Sequence, residues 1–111
     1  MTNDLEKEAA VSEDQSRALG RAFVALGRCY AAANQNDHAL EAFLKTTTLY
    51  YQDANAMAEA LYESALIFEK IKNFSRAKGQ LEDLTKDFPT FPLIADAKKK
   101  LDSIKSSNPA E

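Results

Sequence analysis

Cysteine is nearly missing from this chain. Cys29 stands alone, which excludes an intramolecular disulfide and any cysteine cluster around a metal, and its apolar neighbours read it as a small buried residue. Histidine is as scarce: His38 has no second His or Cys at ligand spacing, so no metal site is expected. Three glycines and three prolines leave little punctuation for a turn-rich sheet, and the alanine and leucine content, with six Phe and four Tyr, favours helices. Uncharged runs such as Ala22 to Gly27 and Thr46 to Gln52 are far too short to span a membrane, and no apolar stretch follows Met1 as an export signal would require. The expectation is a soluble chain without direct membrane insertion, in a compartment left open between cytoplasm and periplasm. Positive charge is in slight deficit: a net charge of −3 and a pI near 5.2 argue against nucleic acid, because phosphate contacts need a basic face. No glycine-rich phosphate loop, nucleophile elbow or other catalytic constellation is present, so the chain reads as no enzyme and as needing no cofactor.

What is present is a repeat. Ala39 falls on Ala77 at a shift of 38 residues, and the same shift lays Phe23 on Leu61, Gly27 on Ala65, Tyr30 on Phe68, Phe43 on Leu81 and Tyr50 on Phe88. Within each unit the apolar residues recur at three and four, the helical period. Leu19, Phe23, Leu26 and Tyr30 make one stripe, and Met57, Leu61, Ala65 and Phe68 make its counterpart. The second halves repeat the pattern through Ala39, Leu40, Phe43, Leu44 and Thr47, and through Ala77, Leu81, Leu84 and Phe88.

Short polar breaks separate the halves and supply caps. Ser12 with Gln15 reads as a capping box, Asp37 and Ser75 as caps of the second helix in each unit, and Asp53 or Asn55 as the cap of the third helix. Pro89 and Pro92 push the residues before them out of helical geometry. Thr90 or Phe91 then caps a fifth helix from about 92 to 105, with Leu93, Ala97, Leu101 and Ile104 inside and lysines outside. The expected organisation is a frayed segment at 1–11, a domain at 12–105 made of hairpins 13–50 and 54–88 and a capping helix 92–105, and a disordered tail at 106–111. The acidic start and the lysine-rich last helix read as solvated ends.

The signature residues Phe23, Leu26, Gly27, Tyr30, Ala39 and Phe43, repeated as Leu61, Ala65, Phe68, Ala77, Leu81, Leu84 and Pro89, resemble the tetratricopeptide repeat. The resemblance covers roughly residues 16 to 105. It implies an all-α fold of antiparallel hairpins stacked as a right-handed superhelix, here two repeats plus a C-terminal capping helix. Close helix approach at Gly27, Ala65, Ala39 and Ala77 gives it an independent physical reason. Thr46, Tyr51 and Ser64 depart from the family pattern. The step of 38 exceeds the family's usual 34, the extra residues falling at Tyr51 to Ala56. The stretched junctions and the segment Asp87 to Ala95 look like the bacterial subfamily of outer-membrane assembly lipoproteins and Tol-Pal-associated periplasmic proteins.

Family members hold a peptide or partner protein in a concave groove lined by the first helix of each hairpin. Here that implies Arg21, Val24, Ala25, Arg28 and Ala32, facing Glu59, Tyr62, Glu63, Leu66 and Lys70. Members that clamp a chaperone's C-terminal carboxylate use a Lys and an Asn where Val24 and Arg28 stand, so that ligand is not expected. Arg17, Arg21 and Arg28 lie on nearly one face, where they either grip an acidic peptide or pair with Glu59 and Glu63. Tyr62 and Leu66 are either groove anchors or residues packed on the fifth helix or the N-terminal segment. Tyr50, Tyr51 and Phe88 are expected to close hairpin ends. Self-association into a scaffold, through apolar surface left at the ends of so short an array and with the acidic start meeting the basic end, is the alternative function. A fragment of a longer array is another.

Overall fold

The computed structural model describes residues 12–107. Five α-helices and no strand occur among them: α1 (Glu13–Ala32), α2 (Asn36–Thr48), α3 (Ala54–Lys70), α4 (Phe74–Asp87) and α5 (Ile94–Ser107). Expectations for residues 1–11 and 108–111 lie outside the described residues. Each helix packs on its neighbours in the chain, and α1 also packs on α3. The fold is thus all-α, two helical hairpins followed by a single helix.

Local chemistry sets the boundaries. Ser12 and Gln15 exchange both bonds of a capping box, at 3.1 and 3.2 Å, and Glu13 and Asp14 follow where the positive end of the helix dipole favours acid. Asp53 accepts the Ala56 N–H at 2.9 Å and caps α3. Both hairpins then turn in the same way. Asn34 and Lys72, related by the 38-residue shift, sit in the left-handed region at φ 61° and 66°. Gln35 and Asn73 donate back to Tyr30 and Phe68 at 2.9 and 2.7 Å, and Asn34 and Lys72 to Ala31 and Glu69 at 3.0 Å each. This pair of bonds is the Schellman ending of a helix.

So tight a turn returns the chain to helix early, and the expected caps move accordingly. The N-cap of α2 is Gln35, without a side-chain bond, and Asp37 lies inside the first turn. That of α4 is Asn73, which accepts from Arg76 at 3.3 Å, rather than Ser75. The fifth helix also starts later than expected, at Ile94. Phe91 donates to Phe88 at 3.1 Å and Ile94 to Phe91 at 2.9 Å, so Pro92 and Leu93 belong to turns.

The core has two centres. Val24, Ala39, Phe43, Ala56, Ala60 and Ile67 join α1, α2 and α3. Leu61, Tyr62, Phe68, Leu81, Leu84, Phe91, Leu101 and Ile104 join α3, α4 and α5, and Leu40 packs against both groups. Gly27 and Ala65, and Ala39 and Ala77, occupy the close approaches expected of them. The departures at Thr46 and Ser64 are fully buried and satisfied: the Thr46 hydroxyl donates to the Gly20 carbonyl at 2.9 Å, and that of Ser64 to Leu61 at 3.1 Å.

Three sequence expectations change. Leu26, placed in the α1 stripe, is 41% exposed, because with Gly27 pressed on Phe43 the residue before it falls at the open edge of the α1–α2 contact, on the side away from α3. Cys29 is exposed, because its apolar neighbours do not share its face of α1. Leu93 is 42% exposed, because it precedes α5; Phe91 enters the core in its place beside Ala97, Leu101 and Ile104.

Candidate partner-binding groove

The α1–α3 contact leaves a trough between the two helices on the side away from α4. Arg21, Val24, Ala25 and Arg28 on α1 face Asp53, Asn55, Ala56 and Glu59 at the start of α3, around a recess of about 230 Å³. Arg28, Asn55 and Glu59 also line a second recess of about 290 Å³, whose far wall is Phe91, Pro92 and Leu93. The shared residues make the two recesses one trough, running from α1 across α3 to the turn before α5. Its exposed apolar surface comes from Ala25, Pro92 and Leu93, over the buried Val24 and Ala56.

The charges along it are paired. Arg21 donates to Asp53 at 2.8 Å, and Arg28 stands 3.1 Å from Glu59. Arg17 meets Glu13 of its own helix at 3.6 Å. The three arginines therefore do not form a single cationic grip, and Arg21 finds the α3 cap rather than Glu59 or Glu63. All three pairs are open to water on the arginine side and contribute roughly 0–1 kcal/mol each, the first two between α1 and α3 and the third within α1. The bond from the Ala56 N–H holds the Asp53 carboxyl below its ordinary range, and Arg21 adds to this against the opposing effect of burial. Glu63 goes the other way: burial lifts its carboxyl more than Arg28 lowers it, and Glu59 adds to the rise.

The remaining expected groove residues are placed elsewhere. Of the two readings left open for Tyr62, it takes the packed one: it is buried in the second core with Leu101 and Ile104 of α5, its ring 5.8 Å from that of Phe91, because Phe91 folds inward over α3. Burial pushes its phenol above the ordinary range, assisted by the nearby Asp96. Leu66 is half-buried against the same group. Lys70 reaches back to the Asn34 side chain at 2.7 Å, and Ala32 is exposed at the end of α1. Asn55 and the Phe91–Leu93 wall were missing from the sequence reading. Asn55 lies one turn before Glu59 and so shares its face, which is a usable signal. The wall depends on a turn between two prolines whose direction no periodicity encodes.

The hairpin ends are mixed. Tyr50 stacks on Phe23 at 5.6 Å and 7°, whereas Tyr51 is 55% exposed. His38 lies 5.1 Å from the Tyr30 ring. Among the described residues no group of three or more His, Cys, Asp or Glu is placed to hold a metal, and no helix is long and apolar enough to cross a membrane.

The α3–α4 hairpin carries the small residue Ala65 at its helix crossing and the aromatic Phe68 at the Schellman turn, and it ends at Phe88-Pro89. Residues 59–90 match the tetratricopeptide repeat. The matched span runs from Glu59 through α4 to Thr90, taking in the second hairpin of the fold. The α1–α2 hairpin lies outside the matched span and turns in the same way at Asn34. Neither a curated protein nor a solved structure matches the chain. Tetratricopeptide repeats generally mediate contacts between proteins and are generally not catalytic.

Proposed function

We propose that this chain is a non-catalytic interaction module that takes an extended peptide segment of a partner protein into the trough between α1 and α3. One observation carries the reading. The trough is continuous from Val24 to Leu93, apolar along its floor and rimmed by ion pairs, and Asn55 stands in both of its halves. An exposed asparagine amide offers a donor and an acceptor, which is what a peptide backbone needs on each side. Ala25, Pro92 and Leu93 provide the apolar centre that a peptide would cover, and the exposed rims of Arg21–Asp53 and Arg28–Glu59 set orientation more than affinity. Tyr62 and Leu66 support this trough from beneath by packing its far wall. The stretched junctions around Tyr51–Ala56 and Asp87–Ala95 favour the bacterial envelope branch of the repeat family, with a partner in the periplasm.

Selection from a phage-displayed library of random peptides, followed by amide chemical-shift mapping, tests the proposal. Selected peptides should move the resonances of Ala25, Asn55 and Leu93. Asn55→Ala and Leu93→Asp should each weaken binding by about tenfold or more while leaving the circular dichroism unchanged. Peptides that map to α2 and α4 instead, or a selection that yields no specific binder, would reject the trough.

A further inference from the structure

The face of the first hairpin turned away from α3 is unlike any other surface of the fold. Phe23, Leu26 and Tyr30 of α1 and Glu41, Ala42 and Lys45 of α2 line a recess of about 100 Å³, to which α3, α4 and α5 contribute no residue. Leu26 lies 41% exposed there, and Leu49, one turn past Lys45 on α2, is 58% exposed. The opposite end of the stack is different: the outer side of α5 exposes Lys98, Lys99 and Asp102. Among the described residues the outer side of the last helix is thus finished for water and this face of the first hairpin is not.

We propose that this face binds a second copy of the chain through a two-fold axis. Its residues are self-complementary about one line. The close approach of Gly27 to the Phe43 ring sets the C-terminal part of α1 beside the middle of α2. On α1, Phe23 lies four residues before Gly27 and Tyr30 three after it, so the two rings flank the height of that contact, and Leu26 lies one residue from it. On α2, Glu41 and Lys45 are equidistant from it with opposite charges. A two-fold axis in the plane of the face, crossing both helices at this height, sets each helix antiparallel to its own copy. It brings Leu26 against Leu26 of the second copy at the axis, and Phe23 against Tyr30 and Glu41 against Lys45, the last two contacts each made twice. Head-to-tail stacking on the charged outer side of α5 would instead bury lysines against leucine and phenylalanine.

The two charges are available for this. Glu41 precedes Lys45 by one turn, the order that favours a pair within a helix, yet no ion pair joins them. The Lys45 ammonium lies instead over the Phe23 ring, 5.1 Å from its centre. A face about two helices wide and the length of α2 buries on the order of 1,000 Å² in the pair, which places the dimer among weak, concentration-dependent associations.

Sedimentation equilibrium of the full chain, from about 10 μM to about 1 mM at low and high salt, tests the assignment. The expected result is a monomer–dimer equilibrium, abolished by Leu26→Arg. Glu41→Lys and Lys45→Glu should each weaken the homodimer by about tenfold or more, because each sets like charges together twice. Mixing the two variants should restore a dimer containing one copy of each, and the double variant should dimerise by itself. A monomer throughout the range would overturn the proposal and leave the face to a different protein or to a preceding repeat. A dimer indifferent to Leu26→Arg, or one that mixing fails to restore, would overturn it equally. Peptide binding in the trough is independent of each of these outcomes.

Discussion

A methyl group added at Gly27 would stand 2.5 Å from Cε1 of Phe43, a ring that is itself fully buried. The first hairpin closes on this contact, and neither partner has room to yield. Glycine inside a helix ordinarily costs about 0.5–1 kcal/mol relative to alanine, so Gly27→Ala sets helix propensity against packing. Packing should win: overfilling a closed core costs about 1–3 kcal/mol. Gly79, in α4, has nothing within 4 Å of the same added atom. Urea denaturation should therefore show Gly27→Ala destabilised and Gly79→Ala stabilised by about 0.5–1 kcal/mol. Equal gains at both sites would contradict the packing at Phe43.

The contrast between these glycines follows what was legible in the sequence. The repeat shift aligned Gly27 with Ala65 and left Gly79 in neither stripe, so the hairpin crossings could be read directly. Five helices and their inner residues followed from periodicity, because burial imposes the 3.6-residue period on every packed face. Three features were not legible, and each lies where periodicity stops. The caps at Gln35 and Asn73 depend on a left-handed residue before them, which Lys72 does not advertise. The burial of Tyr62 depends on the direction taken by Phe91 between two prolines. The exposure of Leu26 depends on which side of α1 the neighbouring helices cover, and a stripe of apolar residues looks the same whether or not every member of it is covered.

Lys72 offers a direct test of the Schellman turns. It is a β-carbon-bearing residue at φ 66°, whereas its counterpart Asn34, at φ 61°, belongs to a type that tolerates the left-handed region. Lys72→Gly should stabilise the chain by about 0.5–1 kcal/mol in thermal denaturation. Asn34→Gly should gain less or nothing, since it also removes the acceptor of the 2.7 Å bond from Lys70. A loss of stability at Lys72→Gly would mean that the side chain makes a contact worth more than the strain.

Tyr62 and Phe91 separate core from trough. The Tyr62 ring is buried against Phe91, and Leu93 lies two residues further on at the trough's far wall. Tyr62→Ala should cost about 3–5 kcal/mol by opening a cavity between α3 and the turn. Tyr62→Phe should leave both stability and peptide binding nearly unchanged, since the ring carries the packing. Leu93→Asp should do the reverse of Tyr62→Ala, sparing the melting temperature and weakening the peptide. If Tyr62→Phe abolishes binding while the fold persists, the phenol hydroxyl reaches the ligand and the trough extends further along α3 than drawn.

Asp53 and Glu63, two carboxylates on the same helix, should move stability in opposite directions with pH. The folded pKa of Asp53 lies below its ordinary 3.8, so the folded chain binds fewer protons there than the unfolded chain. Its stabilising contribution is complete above that ordinary value and is lost as pH falls through the folded value. The folded pKa of Glu63 lies above its ordinary 4.5, so between the two values the folded chain holds the extra proton. Its charged form is a penalty at neutral pH that is relieved on acidification. Asn remains a good helix cap, so Asp53→Asn removes the charge and keeps most of the cap. Urea midpoints at about pH 7, about pH 5 and about pH 3 should resolve the two effects. Glu63→Gln should be more stable than the parent at pH 7, with the difference fading as acid protonates the parent's carboxyl. Asp53→Asn should be less stable at both pH 7 and pH 5, and the gap should narrow only below the ordinary Asp range. If Glu63→Gln is instead destabilising at pH 7, the attraction of Arg28 outweighs burial, and the Glu63 carboxylate helps to hold α1 on α3.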